Sequence, residues 1–505
     1  MTPSDWLLIG NGNAVSSRDC PIVPLEQFRR AVIDAVAGGA RLSAMPAWPT
    51  GHGDGLNLVA VVSLPAVGKL GLLACELPRS YPAITPDCPA AGWFERELAE
   101  TWQVRPQGHP WLKPIRFGQP LRTLDNNGSP TVAPIGLTDY FSMSGDEAHE
   151  VAVGPVHAGV IEPGHFRFQC HGETVYHLEI SLGYQHRGIE RAMLGGPTPR
   201  SIHYMETLAG DTTIGHATAY AGLIEALSGV SAPPRAQAIR AIAAELERIA
   251  NHTGDLGALA GDVGFLPTMS YCGRIRGDVL NLTALLCGNR FGRGLIRPGG
   301  VAYDVDAALA ESLENRLEPV SRDIEGSVEL LLTTPSVLSR FEQTGALTTE
   351  TARQIGLVGV AARACDIACD VRNEFAYGFY RFAQIPVCTW HTGDCFARAY
   401  VRRLEIKQSL TFLLHRLGEM PAGDILRAPA ALRADMTAVG LVESWRGEIC
   451  HVAVTGGDGR LLCYKVVDPS FHNWFGLACA LRDQQISDFP LCNKSFNLSY
   501  CGHDL

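Results

Sequence analysis

Residues 155–220 hold seven of the sixteen histidines of the chain. Histidine changes charge near neutral pH, so this density points to groups that give and take protons. Asp211, Thr212 and Thr213 stand five to three residues before His216. A carboxylate and two hydroxyls at that place read as the N-cap of a helix. Upstream, residues 166–170 and 174–182 alternate with period two, and His171-Gly172-Glu173 reads as the turn that closes a hairpin. The fifteen cysteines form no CxxC pair: Cys365 and Cys369 are four apart, Cys388 and Cys395 seven. Zinc and iron–sulfur sites use tighter ligand pairs, so most of these thiols read as small buried hydrophobes.

The elements that must position these groups come from the rest of the chain. A length of 505 residues implies more than one domain. Hydrophobic content of 46% with 19% charged residues is that of a globular protein with a large core. A net charge of −10 excludes nucleic acid as a major partner. No apolar run reaches the ~20 residues that cross a bilayer. The first residues lack a basic n-region and a long apolar core, so no signal peptide is expected and the location is cytoplasmic.

Residues 56–64 and 69–77 read as buried strands, and residues 28–37 have helical spacing at Phe28, Val32, Ile33 and Val36. Gly10-Asn11-Gly12 is half of a dinucleotide fingerprint and reads as a loop. Glu95 opens a short helix whose first-turn acids complement its dipole. Residues 119–150, rich in turn-formers, read as a linker draped over a neighbour. Beyond them the chain is mainly helical, with a stripe at Ile239, Ile242, Leu246 and Ile249 and a helix at 402–417. Phe496, Leu498 and Tyr500 alternate as a strand would.

Two sets of motifs carry a resemblance. Glu95-Arg96-Glu97 and Gly108-His109-Pro110 resemble the signature of the 30-kDa-type subunit of complex I, with Glu100 and Gln103 in place of an acid and a glycine. In that family the module carries no cofactor, so His109 is expected to shape a turn. Gly154-Pro155-Val156-His157, His186-Arg187-Gly188-Ile189-Glu190, residues 247–252, Arg297-Pro298-Gly299-Gly300, Gly393-Asp394 with Arg398, residues 402–409, Trp445-Arg446-Gly447-Glu448 and Asp468-Pro469 form the second set. They resemble the large subunit of [NiFe] hydrogenases and the related 49-kDa-type subunit of complex I. A fusion of the two is typical of group 4 hydrogenases. The fold implied is α+β: a small α/β domain (1–118), a linker (119–150) and a mainly helical domain with peripheral hairpins (151–505).

The family's nickel site needs four thiolates, since soft sulfur ligands hold that metal. Counting from His216 and from Asp468-Pro469 puts them at Ala209, Thr212, Ser470 and Asn473, none a thiol. The resemblance therefore implies no metal and no cofactor bound by this chain, with quinone left open as a ligand. Of the complex I quinone pair, neither member is present as such. His165 with Asp211 is a candidate acid–base replacement, and an N-cap is the plainer reading of Asp211. Glu190 matches a family glutamate that lies near the metal site or on a proton route and Arg446 an arginine over the metals, each with a buried ion pair as the bland alternative. His157 matches the family's loop histidine. Arg248 and His252 resemble residues beside the iron–sulfur cluster of a partner. The implied partners are an iron–sulfur small subunit like the 20-kDa subunit of complex I and antiporter-like membrane subunits. The implied role is an oxidoreductase subunit on the cytosolic face of the membrane. The alternatives are a scaffold, or a hydrogenase with atypical ligands. The tail after residue 488 is expected to pack in or beside the vacated cavity.

Overall fold

The computed structural model describes residues 6–51, 55–122, 133–158 and 161–505. Near the N-terminus, Leu7–Ile9, Lys69–Leu77, Leu56–Leu64 and Arg41–Ala44 pair antiparallel in that order, and Ala47–Pro49 also pairs with Leu56–Leu64. Two strands have the bounds that the sequence pattern predicts, and helix Leu25–Ala37 packs on this sheet through Phe28, Ala31 and Val32.

The Asn13–Ser16 strand leaves this sheet and joins one built almost wholly from the far end of the chain. Its order is Leu461–Val467, Glu448–Thr455, Met436–Glu443, then Asn13–Ser16, all antiparallel. One apolar core continues across both sheets: Phe28, Leu58 and Leu72 share it with Val439, Leu441, Val452 and Phe471. Polar groups also cross the seam, with Arg41 2.9 Å from Glu448 and Ser43 donating to Glu448 at 2.6 Å. Gly10-Asn11-Gly12 is the loop the sequence predicts, and Asn11 serves this seam. Its amide donates to the carbonyls of Phe375 and Leu441 and accepts from the Leu441 N–H.

The Glu95 motif works differently from the expectation. Glu95 is fully buried and accepts from Ile84 N, Thr85 N and the Thr85 hydroxyl, so it holds a loop rather than capping its own helix, Gly92–Trp102. Arg96 donates to the carbonyls of Lys113 and Pro114 between the rings of Trp93 and Trp111. Glu100 accepts from the N–H groups of Ile115, Arg116 and Gly118. Together these side chains pin the 113–118 segment. His109 bridges Gly92 O and Trp111 N, which makes it the turn former expected.

The predicted hairpin is His165–His171 with Thr174–Ser181, and Ala148–Val153 adds a third strand. The end of the expected linker is therefore sheet. Phe141 N donates to Glu179 and Met143 N to Gln169, so residues before that strand drape over this hairpin. The middle of the expected linker, 123–132, lies outside the described residues.

Helices Pro234–Asp262, Leu266–Cys287, Ala307–Thr333 and Cys395–Gly418 pack together as a bundle. The stripe read from the sequence, Ile239, Ile242, Leu246 and Ile249, is in its core. A buried charge network threads the bundle: Arg248, Arg363 and Arg372 against Glu245, Glu405, Glu443 and Asp370. The tail departs from the predicted strand. Phe489–Phe496 and Tyr500–Asp504 are helices, joined through Asn497 in a left-handed conformation.

Candidate functional site

Helix Thr213–Ser228 starts from a buried Thr212-Thr213 step. Asp211 does not cap it, nor does the Thr212 side chain. Its first free N–H groups, of Ile214 and Gly215, donate instead to Glu247 at 2.7 and 3.3 Å. Burial pushes the Glu247 carboxyl up to about 8, against those two hydrogen bonds and with the charge of Asp211 adding to the rise.

Asp211 is drawn away by Arg446. The guanidinium makes two bonds to its carboxylate, at 2.7 and 2.9 Å, and stacks 3.9 Å from the Trp445 ring centroid. Arg446 Nε donates to the Asn497 carbonyl at 2.6 Å. One side chain thus joins the turn between two strands, the loop before helix Thr213–Ser228 and the C-terminal tail.

Ala209, Thr212, Ser470 and Asn473 are all buried. The Ser470 hydroxyl accepts from Ser499 N at 2.8 Å. The Asn473 amide bonds both the N–H and the carbonyl of Val358. Thr212 Oγ1 lies 3.3 Å from Arg446. Residues 499–502 reach the 208–212 loop. Arg187 bonds the carbonyls of both Leu208 and Cys501, and Gly210 N faces the Cys501 thiol. A methyl, two hydroxyls and an amide, the polar ones already engaged, do not fit a soft-metal centre. Among the described residues no group of three or more His, Cys, Asp or Glu is placed to hold a metal ion.

The tail fills this region, as expected. Trp474 donates to the Ser499 carbonyl, Arg116 to that of His503, and Asp504 accepts from Gly183 N and Gln185 N. The last residue, Leu505, accepts from Arg187 N and Gly188 N.

The other residues singled out in the sequence fall elsewhere. Glu190 accepts from Lys465 Nζ and Val466 N, both at 2.9 Å, and lines a cavity of about 330 Å³. His165 lies 3.2 Å from the Gly154 carbonyl and His157 2.8 Å from that of Gly164. Among the described residues no hydrogen bond joins His165 to Asp211, so the two do not form a direct acid–base pair. Arg248 and His252 are fully buried, bonded to Glu405 at 3.3 and 2.9 Å. They belong to the bundle's ion network, and their side chains do not reach the surface of this chain.

Sequence reading missed a buried row of groups. His216 lies 3.0 Å from Asp468 and 3.1 Å from His451, and His451 lies 2.9 Å from the Tyr464 hydroxyl. His451 and Tyr464 sit on neighbouring strands, opposite Val466 and Ala453, so they share one face. The available signal was a lone histidine within an apolar run, Ile449 to Val454, that is buried along its whole length.

A helical bundle and antiparallel sheets meet at a loop clamped by Arg446. The chain belongs to the family of the 49-kDa subunit of respiratory-chain NADH dehydrogenase, in the part that includes formate hydrogenlyase and hydrogenase-4 subunits. The family model matches residues 262–437. Carbon monoxide-induced hydrogenase of Rhodospirillum rubrum is 30% identical over 352 residues, 69% of this chain and 97% of that protein. One of the proteins of the F(420)H(2) dehydrogenase of Methanosarcina mazei is 31% identical over 340 residues, 64% of this chain and 90% of that protein. Formate hydrogenlyase subunit 5 of Escherichia coli (strain K12) is 28% identical over 432 residues, 83% and 76% of the two chains. Among the described residues no helix is long and apolar enough to cross a membrane.

Proposed function

We propose that this chain is the large subunit of a membrane-associated oxidoreductase complex that works without a [NiFe] centre. It docks an iron–sulfur subunit, holds the site where an acceptor such as a quinone is reduced by that subunit's cluster, and passes the state of that site to antiporter-like membrane subunits that move ions. It lies on the cytosolic face of the membrane, held there by those partners. The observation that carries the reading is the exchange at Ala209, Thr212, Ser470 and Asn473, three of them engaged by the protein itself, while Arg446, Asp211 and His216 stay organised around them. Nickel chemistry has no donors there, but proton and charge handling does. Metal analysis of the purified complex tests it, with nickel expected far below one per chain. Stoichiometric nickel would overturn the reading.

The burial of the tail favours a second reading, a scaffold that only holds the iron–sulfur and membrane subunits. Quinone and dye reduction by the intact complex separates the two. Arg446→Gln lowers turnover under the redox reading and leaves it unchanged for a scaffold.

A further inference from the structure

Asp468, His216, His451 and Tyr464 form an unbroken hydrogen-bonded row, each group at most 2% exposed. A carboxylate can only accept, and a neutral imidazole has one donor and one acceptor nitrogen. Burial alone would raise the Asp468 carboxyl, but the bond from His216 and the charge of Arg446 hold it below the ordinary range, so it is ionised. His216 must then donate from Nε2, which leaves Nδ1 to accept. His451 therefore donates from Nε2 and accepts at Nδ1, and the Tyr464 hydroxyl, which also lies 4.0 Å from Met205 Sδ, donates to it across the shorter contact. Burial keeps His451 well below its usual value, hence neutral. All three protons point the same way.

We propose that Tyr464, His451, His216 and Asp468 are a directional proton wire that delivers protons to the Arg446 site. One passage moves the Tyr464 hydroxyl proton to His451 Nδ1, the His451 Nε2 proton to His216 Nδ1, and the His216 Nε2 proton to Asp468 Oδ2. The carboxylate becomes a carboxylic acid. Tyr464 takes up a proton from solvent as it gives its own away, so no free phenolate forms, and the entry side is the 330 Å³ cavity whose lining includes Tyr464 and Glu190. Both rings are left as the opposite tautomer and revert when Asp468 has passed its proton on and they turn over. The charged or titratable groups near the outer end are Tyr220 and Glu190, and at the inner end Arg446. Hydrogen bonds between buried groups strengthen one another, which keeps such a row aligned.

The wire rests on the proposed redox role only for the fate of the proton at Asp468. The test is nitrogen NMR of the full chain with labelled histidine, which reads the tautomers directly. The expected result is a neutral Nε2–H ring at both His216 and His451 at pH 7. A doubly protonated His216, or an Nδ1–H tautomer at either ring, overturns the wire. In Tyr464→Phe, exchange of the two ring protons with solvent is expected to slow on the order of tenfold or more. Unchanged exchange also overturns it. In the assembled complex, a solvent isotope effect on turnover that is lost in Tyr464→Phe would place the wire in the reaction. If the tautomers hold and no complex turns over, the redox reading fails while the wire stands.

Discussion

Arg446 is the residue on which most of the site depends, because it is buried and its only carboxylate partner within ion-pair reach among the described residues is Asp211. Removing one member of such a pair leaves a charge uncompensated, which costs more than the pair gains by forming. Asp211→Asn keeps an acceptor but loses the charge. With the Asp211 side chain about a third exposed, the expected loss is about 2 kcal/mol in urea unfolding at pH 7. Glu247 carries a pH signature. Its folded value of about 8 lies above the ordinary 4.5, so its stabilising contribution is complete below pH 4.5 and is lost as pH rises to about 8. Between pH 5 and 8.5 the melting temperature of the native chain is expected to fall more steeply than that of Glu247→Gln. Parallel profiles would remove Glu247 as the cause. None of this was visible in the local pattern. Asp-Thr-Thr before a helix is sound N-cap sequence, and only the arrival of Arg446 from 235 positions away redirects the carboxylate.

At the scale of elements, legibility followed the range of the forces involved. The hairpin and two N-terminal strands were readable because alternating burial is a local property. The tail was misread for the same reason. Phe496, Leu498 and Tyr500 are all buried, as a strand face would be, but Asn497 breaks one helix and Ser499 caps the next. Apolar residues two apart on either side of a left-handed residue mimic a strand. Glu95 and Glu100 were likewise legible as parts of a motif but not as clamps, since their partners lie up to 18 residues away. The tail's last helix is held by Asp504, whose two oxygens accept from Gly183 N at 2.8 Å and Gln185 N at 2.9 Å with no solvent exposure. Asp504→Asn turns an amide donor toward an N–H donor. The expected cost is about 2–3 kcal/mol, with faster proteolysis at the C-terminus. Unaltered stability would show that the tail is held by apolar packing alone.

For the whole molecule, sequence reading divides the chain near residue 118, whereas the core runs through the seam. The N-terminal sheet shares Val439, Leu441, Cys450, Val452, Val454, Cys463, Val467 and Phe471 with the far end of the chain. The Asn13–Ser16 strand completes the C-terminal sheet. An interface that is apolar, closely packed and crossed by Asn11, Arg41 and Ser43 resembles an interior more than a contact between domains. The consequence is cooperative unfolding. Calorimetry of the intact chain is expected to show one transition, in which residues 1–122 do not melt separately. Asn11 gives the sharper test, because its amide satisfies two carbonyls and one N–H, and truncation leaves all three without their protein partner. Asn11→Ala is expected to lower the stability of the single transition by about 2–4 kcal/mol, whether followed at the N-terminal tryptophans or at Trp445 and Trp474. If only the signal from the N-terminal sheet moves, the two ends fold independently and the seam is a docking surface rather than a core.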